Sequence, residues 1–182
     1  MIRRLPALFL LLALAFLSVE PAAAQHPQIR EGFWISGGPS FGSLDLGCDA
    51  CETDRESGLT LLLAMGGTLG EGLLLGGEIE GWAKEIEGVD LTVGHLSGVV
   101  YWYPRPSGGL FLKGGAGIAV YSADAGPLGD DEDSGLGLHA GVGYDVRVGR
   151  NLSLTPTAGV FWGEFGSGNA NVLHVGLAVT GH

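Results

Sequence analysis

Apolar and polar residues alternate along most of the chain after its first 24 residues. In the clearest segment, residues 136–148, every even position is apolar, whereas the odd positions hold glycine, His139, Asp145 and Arg147. Successive side chains of a β-strand point to opposite faces, so this period of two predicts a strand with one apolar face. The small and charged residues share the other face. This indicates a narrow polar interior and an apolar exterior.

Seven further segments show the same alternation, each about the 9–11 residues that a tilted membrane-crossing strand needs. The eight segments begin near Phe33, Leu59, Leu74, Leu91, Leu110, Leu136, Leu152 and Leu173. The fourth is the least regular, because Leu91 and Val93 disagree in phase with Leu96, Val100 and Trp102, which indicates a bulge or a misread strand edge. The pattern predicts an all-β protein, an eight-stranded antiparallel up-and-down transmembrane β-barrel. A soluble, ligand-carrying barrel of the lipocalin type, with its apolar face inside, is the alternative.

The joins between the segments predict the orientation of this barrel. Three are short, at residues 70–72, 104–109 and 149–151, and four are mostly longer and more polar, at residues 45–57, 85–90, 123–134 and 164–171. Barrels of the bacterial outer membrane have short periplasmic turns and longer outer loops. We therefore expect the long joins to lie outside the cell and both termini to lie in the periplasm.

The first 24 residues have the order of a secretory signal peptide. Arg3 and Arg4 precede an apolar run from Leu5 to Val19, and Ala22 to Ala24 provide a small-residue cleavage site. The run is shorter than the roughly 20 apolar residues of a membrane-spanning helix, which disfavours the alternative of a retained anchor. We expect residues 1–24 to be removed and residues 25–182 to form the barrel domain.

Composition supports a membrane barrel and excludes one class of partner. The 182 residues include 34 glycines, 46% are hydrophobic, and the formal net charge is −11. Nucleic-acid binding requires a basic surface, so this acidity argues against it.

The alternation places a set of charged side chains inside the barrel. The residues expected to form this lumenal charge network are Glu78, Glu80, Lys84, Lys113, Asp145 and Arg147. Opposite charges at similar depth should pair, because an unpaired buried charge is very costly. Such pairs would form a plug that closes the barrel or, alternatively, a gate that exchanges partners to open a narrow channel. Eight strands leave an interior just filled by side chains, which excludes a wide pore.

Two of the long joins contain candidate sites. Cys48 and Cys51, in the first, are expected to form a disulfide, because the exported compartment is oxidising. Asp130, Asp131, Glu132 and Asp133, in the third, form a possible cation-attracting loop that would bridge divalent ions to lipopolysaccharide. They lack the spaced carboxylates of a formed calcium loop, so a solvated acidic loop is the simpler interpretation.

No catalytic, metal or cofactor site is expected. His95 and Ser97 are spaced like the histidine and serine of barrels that deacylate lipid A, but the following strand, residues 110–122, offers no acidic residue to orient the histidine. The five histidines are scattered along the chain without the spacing of metal ligands.

Several segments resemble small bacterial outer membrane β-barrel proteins of the OmpA/OmpX type. They are Gly32-Phe33-Trp34, Gly81-Trp82-Ala83-Lys84, the stretch from Tyr144 to Asn151, and the stretch from Asn169 to His182, which resembles the closing strand. Such chains usually end in an aromatic residue that the barrel-assembly machinery reads, whereas this one ends in His182. The resemblance implies a lipid-embedded barrel with outer membrane lipid, lipopolysaccharide and the assembly machinery as partners. It implies a structural or surface-interaction role, with a narrow gated channel or a lipid A hydrolase as alternatives, and it identifies no extracellular partner.

Overall fold

Each long strand of the protein pairs antiparallel with the next, in a computed structural model that describes residues 30–47, 55–86, 88–124, 126, 129–166 and 168–182. The strands are β1 (Phe33–Gly47), β2 (Glu56–Gly70), β3 (Leu73–Ile86), β4 (Val89–Trp102), β5 (Leu110–Asp124), β6 (Asp130–Tyr144), β7 (Val146–Arg147), β8 (Leu152–Phe165) and β9 (Gly168–Gly181). No helix in these ranges is long and apolar enough to cross a membrane. The expected signal peptide, Cys48 and Cys51 lie outside the described residues, so the cleavage and the disulfide stay predictions.

The sheet closes on itself, because β9 pairs with β1 and β6 pairs with β8. β7 is a two-residue continuation of β6 rather than a separate crossing. The β6–β8 ladder stops at Gly143 opposite Thr157 and resumes as β7 at Val146 opposite Leu154. Pro156 lies opposite the gap, and proline has no N–H to donate to a ladder. Eight strands therefore cross the barrel, and the predicted fold is confirmed.

The crossing strands are longer than the sequence indicated, with 14 or 15 residues each. At about 3.4 Å per residue and a tilt of about 40°, 14 residues rise roughly 36 Å, more than the ~25 Å apolar band of such barrels. Two joins predicted to be long are consequently short, with two residues between β3 and β4 and two between β8 and β9. The turn at residues 103–109, expected to be short, is longer than either, so loop length does not distinguish the two ends of this barrel.

β4 is a regular strand, contrary to the expected bulge. Its register with β3 runs without interruption from Val89 to Trp102. Leu91 and Val93 point into the barrel, whereas Leu96, Val100 and Trp102 point outward. The two sets differ in phase because an apolar cluster fills the lumen at the level of Leu91 and Val93. At that end of the strand the apolar residues therefore face inward, whereas Leu96, Val100 and Trp102 face outward.

The outer face is a continuous apolar belt. Its large apolar side chains are 37–77% exposed, among them Leu138, Val142, Leu173 and Val175. His139 and Asp145, at odd positions of the sixth crossing, are buried inside. An apolar surface of this extent is stable in hydrocarbon and not in water, so the geometry is that of a transmembrane barrel and not of a soluble carrier.

The expected acidic loop at residues 130–133 is not a loop. These residues belong to β6 and pair with Ser122, Ala123, Asp124 and Tyr121 of β5. Alternate residues of a strand face opposite sides, so Asp131 and Asp133 lie on one face of the sheet and Glu132 on the other. β5 and β6 continue past the membrane band as paired strands, and there polar residues replace apolar ones on the outer face. This stretch of sequence therefore has the appearance of a loop.

Candidate functional site

Two apolar clusters fill the lumen at different heights. The turn-side layer, nearest the end that holds both Arg30 and His182, consists of Trp34, Leu62, Ala64, Leu74, Val99, Tyr101, Tyr103 and Phe111. The loop-side layer, toward the opposite end, consists of Leu44, Trp82, Leu91, Val93, Ala119, Phe161, Ala170 and Val172. Along β3 the inward residues pass from Leu74 in one layer to Trp82 in the other, with two glutamates between them.

Between these layers lies a buried polar group that we call the central cluster. Its members are Glu78, Glu80, His95, Ser97, Lys113, His139 and His174, and none is more than 6% exposed. They come from β3, β4, β5, β6 and β9, each at an inward-facing position. The alternation therefore places all seven side chains in the lumen. The stagger between neighbouring tilted strands determines which of them come into contact.

Glu78 is the hub of the central cluster. Its Oε1 accepts a hydrogen bond from Lys113 Nζ at 2.6 Å, and its Oε2 accepts one from the Tyr101 hydroxyl at 2.8 Å. His139 Nδ1 lies 2.8 Å from Oε1, and His95 Nε2 lies 3.8 Å from the same oxygen. An ammonium group, a phenol and two imidazole rings thus surround the carboxylate of Glu78.

Glu80 faces a different histidine. Its Oε1 lies 3.0 Å from His174 Nδ1. A narrow gap adjoins it, lined by Thr60, Glu80, Trp82, Val93, His95, Phe161 and Val172, and it has no room for a water molecule. Ligand pockets generally occupy about 300–1,000 Å³, so this gap does not hold an organic ligand.

Glycine at particular inward positions makes room for the central cluster. A Cβ on Gly115 would lie 2.0 Å from His139 Nε2, and one on Gly159 would lie 2.4 Å from His174 Nε2. In the loop-side layer, a Cβ on Gly58 would lie 2.6 Å from the Trp82 ring. The glycine-rich inner face is therefore the space into which the large inward side chains of neighbouring strands fit.

Ser97 and two members of the cluster form a chain like that of a serine hydrolase. Ser97 Oγ lies 3.4 Å from His139 Nε2, and the Nδ1 of this ring faces Glu78. The sequence suggested His95 as the partner of Ser97, but the partner is His139 from β6. Ser97 and both histidines point into the sealed lumen and are buried, whereas a lipid ester would reach the barrel from outside. This placement argues against lipid hydrolysis by the expected pair.

A second polar group, the turn-end network, closes the end of the lumen where the termini lie. Asp145 accepts hydrogen bonds from Arg30 and the Tyr103 hydroxyl, both at 3.0 Å, and from the Thr155 hydroxyl at 2.9 Å. Arg30 also donates to the carbonyl oxygens of Pro106 and Gly108 and lies 3.5 Å above the Tyr103 ring. These contacts fasten residue 30, ahead of the first strand, to the 103–109 turn.

The six residues predicted to form one lumenal network occupy four places. Glu78, Glu80 and Lys113 lie in the central cluster, and Asp145 lies in the turn-end network. Lys84 instead pairs with Glu56 at the loop end, where both side chains are partly exposed. Arg147 donates to the carbonyl oxygen of Arg150 at 3.0 Å, so the cation beside Asp145 is Arg30 and not Arg147.

Sequence reasoning missed Arg30 and the convergence of the histidines. Arg30 precedes the first alternating segment, so no periodicity marked it. His139 was correctly placed on the polar face of its strand, but its distance in sequence from His95 concealed that both histidines reach the same carboxylate. Counting the residues from each strand end, with a correction for strand tilt, would have shown that these two histidines lie at the depth of Glu78.

No family model and no curated protein matches the chain. Its fold matches Neisserial surface protein A, with a TM-score of 0.67 and 13% identity over 83% of this chain and 97% of that one. It also matches Ail, the attachment invasion locus protein of Yersinia pestis, with a TM-score of 0.62 and 14% identity over 82% of this chain and 99% of that one. At such low identity these likenesses establish the fold alone: that of a small eight-stranded outer membrane β-barrel.

Proposed function

We propose that this protein is a closed barrel of a bacterial outer membrane, with a structural or surface-interaction role rather than a role in transport. The observation that carries the proposal is the filling of the lumen, with apolar layers on both sides of the central cluster. The fold and the apolar belt support an outer membrane location, and the even number of crossings puts both termini on one side of the membrane, which we propose to be the periplasmic side.

The apolar layers distinguish a closed barrel from a gated channel. A gate made only of ion pairs opens when those pairs exchange partners. Here an ion that passed the central cluster would still meet Trp82 and Phe161 on one side and Trp34 and Phe111 on the other, all buried. Apolar constrictions exclude water and ions even where the pore itself is continuous.

Recordings from planar lipid bilayers test the closed state. We expect the purified barrel to give no discrete conductance steps, and we expect Lys113→Ala to remain silent because both apolar layers persist. The gated-channel alternative expects steps that become more frequent or larger in Lys113→Ala. Regular steps from the unaltered protein would refute the closed barrel.

The loop end of the barrel suggests the chemistry of a surface partner. The acidic side chains there are Asp45, Glu56, Glu85, Asp90, Asp124, Asp131, Glu132, Asp133 and Glu164. Within the described part of this end the basic side chains are Arg55 and Lys84, and each is paired with a carboxylate. We propose that this end binds cationic groups, or divalent cations that bridge to lipopolysaccharide.

One structural neighbour offers a contrast. A structure of Ail, with a TM-score of 0.58 and 15% identity to this chain, contains the heparin analogue sucrose octasulfate. An acidic surface repels a sulfated ligand of this kind. We therefore expect barrels in nanodiscs to bind polylysine and not heparin, with binding that weakens as salt rises. Equal binding of both polymers would contradict the electrostatic proposal without affecting the closed lumen.

A further inference from the structure

We infer that Glu78, His95 and His139 form a binding site for a first-row divalent transition metal inside the barrel. Each residue offers one ligand atom, and the three atoms lie within 4.8 Å of one another. They come from three strands, β3, β4 and β6, whose pairing fixes their relative positions. This inference does not rest on the proposed surface role or on the closed state of the lumen.

The ring nitrogens supply a second, independent observation. Both ring nitrogens of His95 are buried and make no hydrogen bond with the described residues. Buried polar atoms in native proteins are nearly always satisfied, so each exception requires an explanation. His95 stacks on Phe161 with the ring centroids 4.5 Å apart, which fixes its plane while its Nε2 faces Glu78.

The donor set selects a class of metal. Two imidazoles and one carboxylate are the ligands of many zinc sites, with metal–ligand distances of about 2.0–2.2 Å. Imidazole suits zinc, copper and nickel, whereas calcium and magnesium prefer oxygen ligands alone. Ligand atoms around such an ion lie about 3–3.5 Å apart. To bind it, His95 Nε2 must approach Glu78 Oε1 from the present 3.8 Å, and His139 Nδ1 must withdraw from the present 2.8 Å.

Lys113 sets the strength of this site. Its ammonium group lies 2.6 Å from the same Glu78 oxygen that both histidines face. A fixed positive charge at this place opposes a divalent cation. Glu80, a second buried carboxylate on the same strand, favours one. Replacement of Lys113 by the uncharged Met, of similar length, is therefore expected to tighten metal binding.

His174 provides a matched control. It is a buried lumenal histidine of the same central cluster, but it faces Glu80 and does not belong to the three-residue group. His174→Gln should thus retain the metal that His95→Gln and His139→Gln lose. Loss of a ligand should lower the affinity by more than the ~10–100-fold that loss of an outer-shell partner costs.

The experiment is to refold the mature chain into detergent with Zn²⁺, remove loosely bound metal with a chelator, and measure zinc per barrel by mass spectrometry. Heat-modifiable gel migration verifies that each variant has folded. We expect one zinc per unaltered barrel, background zinc in His95→Gln and His139→Gln, and full retention in His174→Gln. Refolding with Co²⁺ should give the visible absorption bands of a tetrahedral site in the unaltered protein.

Two outcomes would overturn the inference. One is background zinc and no tetrahedral Co²⁺ spectrum in the unaltered barrel, a result that needs no variant to fold. The other is an equal loss of zinc in His174→Gln and His95→Gln, which would indicate diffuse binding to lumenal histidines.

Discussion

The central cluster and the turn-end network are both buried, both charged and both built from inward-facing residues, but they differ in how fully their polar atoms are bonded. Asp145 at the turn end accepts hydrogen bonds from Arg30, Tyr103 and Thr155. In the central cluster, Glu78 accepts from Lys113 and Tyr101 and faces His139 Nδ1 at 2.8 Å, yet both ring nitrogens of His95 lack hydrogen bonds in the described structure.

This difference indicates two kinds of role. A fully satisfied polar network fixes one arrangement of the chain, because each partner that is lost leaves a buried group unpaired. The turn-end network comes closer to that description at its carboxylate, since Arg30 and the 103–109 turn both depend on Asp145, whereas His182, whose Nε2 lies 3.6 Å from Asp145, makes no side-chain hydrogen bond with the described residues. A network with unused donors and acceptors can instead accept an additional partner. The inferred metal site accordingly lies in the central cluster and not at the turn end.

The largest effect is expected from Asp145→Ala. The substitution removes the carboxylate beside the buried Arg30, and loss of one partner of a buried ion pair costs about 3–5 kcal/mol. The free energy of unfolding, measured by urea titration of the barrel in detergent with tryptophan fluorescence, should fall by that amount. Arg147→Ala is the control, because Arg147 is half-buried and donates to the Arg150 carbonyl rather than to Asp145, so its removal should change little.

Lys113→Met should have an intermediate effect, about 1–3 kcal/mol in the same titration. Glu78 loses its cation but keeps the hydrogen bond from Tyr101, and two histidines remain beside it. A loss as large as that of Asp145→Ala would mean that the central cluster is as tightly structural as the turn end. The distinction between the two clusters would then fail.

Thr155→Val should have the smallest effect of the three, about 1 kcal/mol. It removes one donor to Asp145, and with it the hydrogen bond to Thr180, while Arg30 and Tyr103 remain. Tyr101→Phe likewise removes one donor to the carboxylate of the central cluster, Glu78. The pair compares the loss of one donor to the carboxylate in the two places, and a negligible cost for Thr155→Val would contradict the turn-end network as a cooperative unit.

Much of the fold could be predicted because alternation has a direct physical cause. The inward positions of Glu78, Lys113 and Asp145 follow from the period of two, since a one-residue slip would place charges in the lipid. Strand ends could not be predicted in the same way. Beyond the membrane band polar residues occupy both faces of a strand, so the alternation is lost. Residues 85–90 were therefore predicted to be a loop, although Glu85 and Asp90 pair across adjacent strands.

The partners within the lumen were harder to predict than its lining. Glu78 pairs in register with Ser97, and Ser97 with Gly117, yet the cation beside Glu78 is Lys113, four residues along β5. Strand tilt and the length of the lysine side chain bring them together, and neither is visible in the alternation. The role of Arg30 could not be predicted for a different reason: it precedes the first strand, so no alternation indicates where its side chain points.

The orientation of the apolar belt is tested most directly by nitroxide labels on the outer face. Leu138, Val142, Leu173 and Val175 would each carry one label at mid-belt, with Ser122 and Glu164 labelled near the loop end. In lipid bilayers the four belt labels should collide with oxygen, which concentrates in hydrocarbon, and the two others should collide with a water-soluble nickel chelate. If the belt labels collided with the nickel chelate instead, the apolar face would not lie in lipid, and the transmembrane barrel would be contradicted.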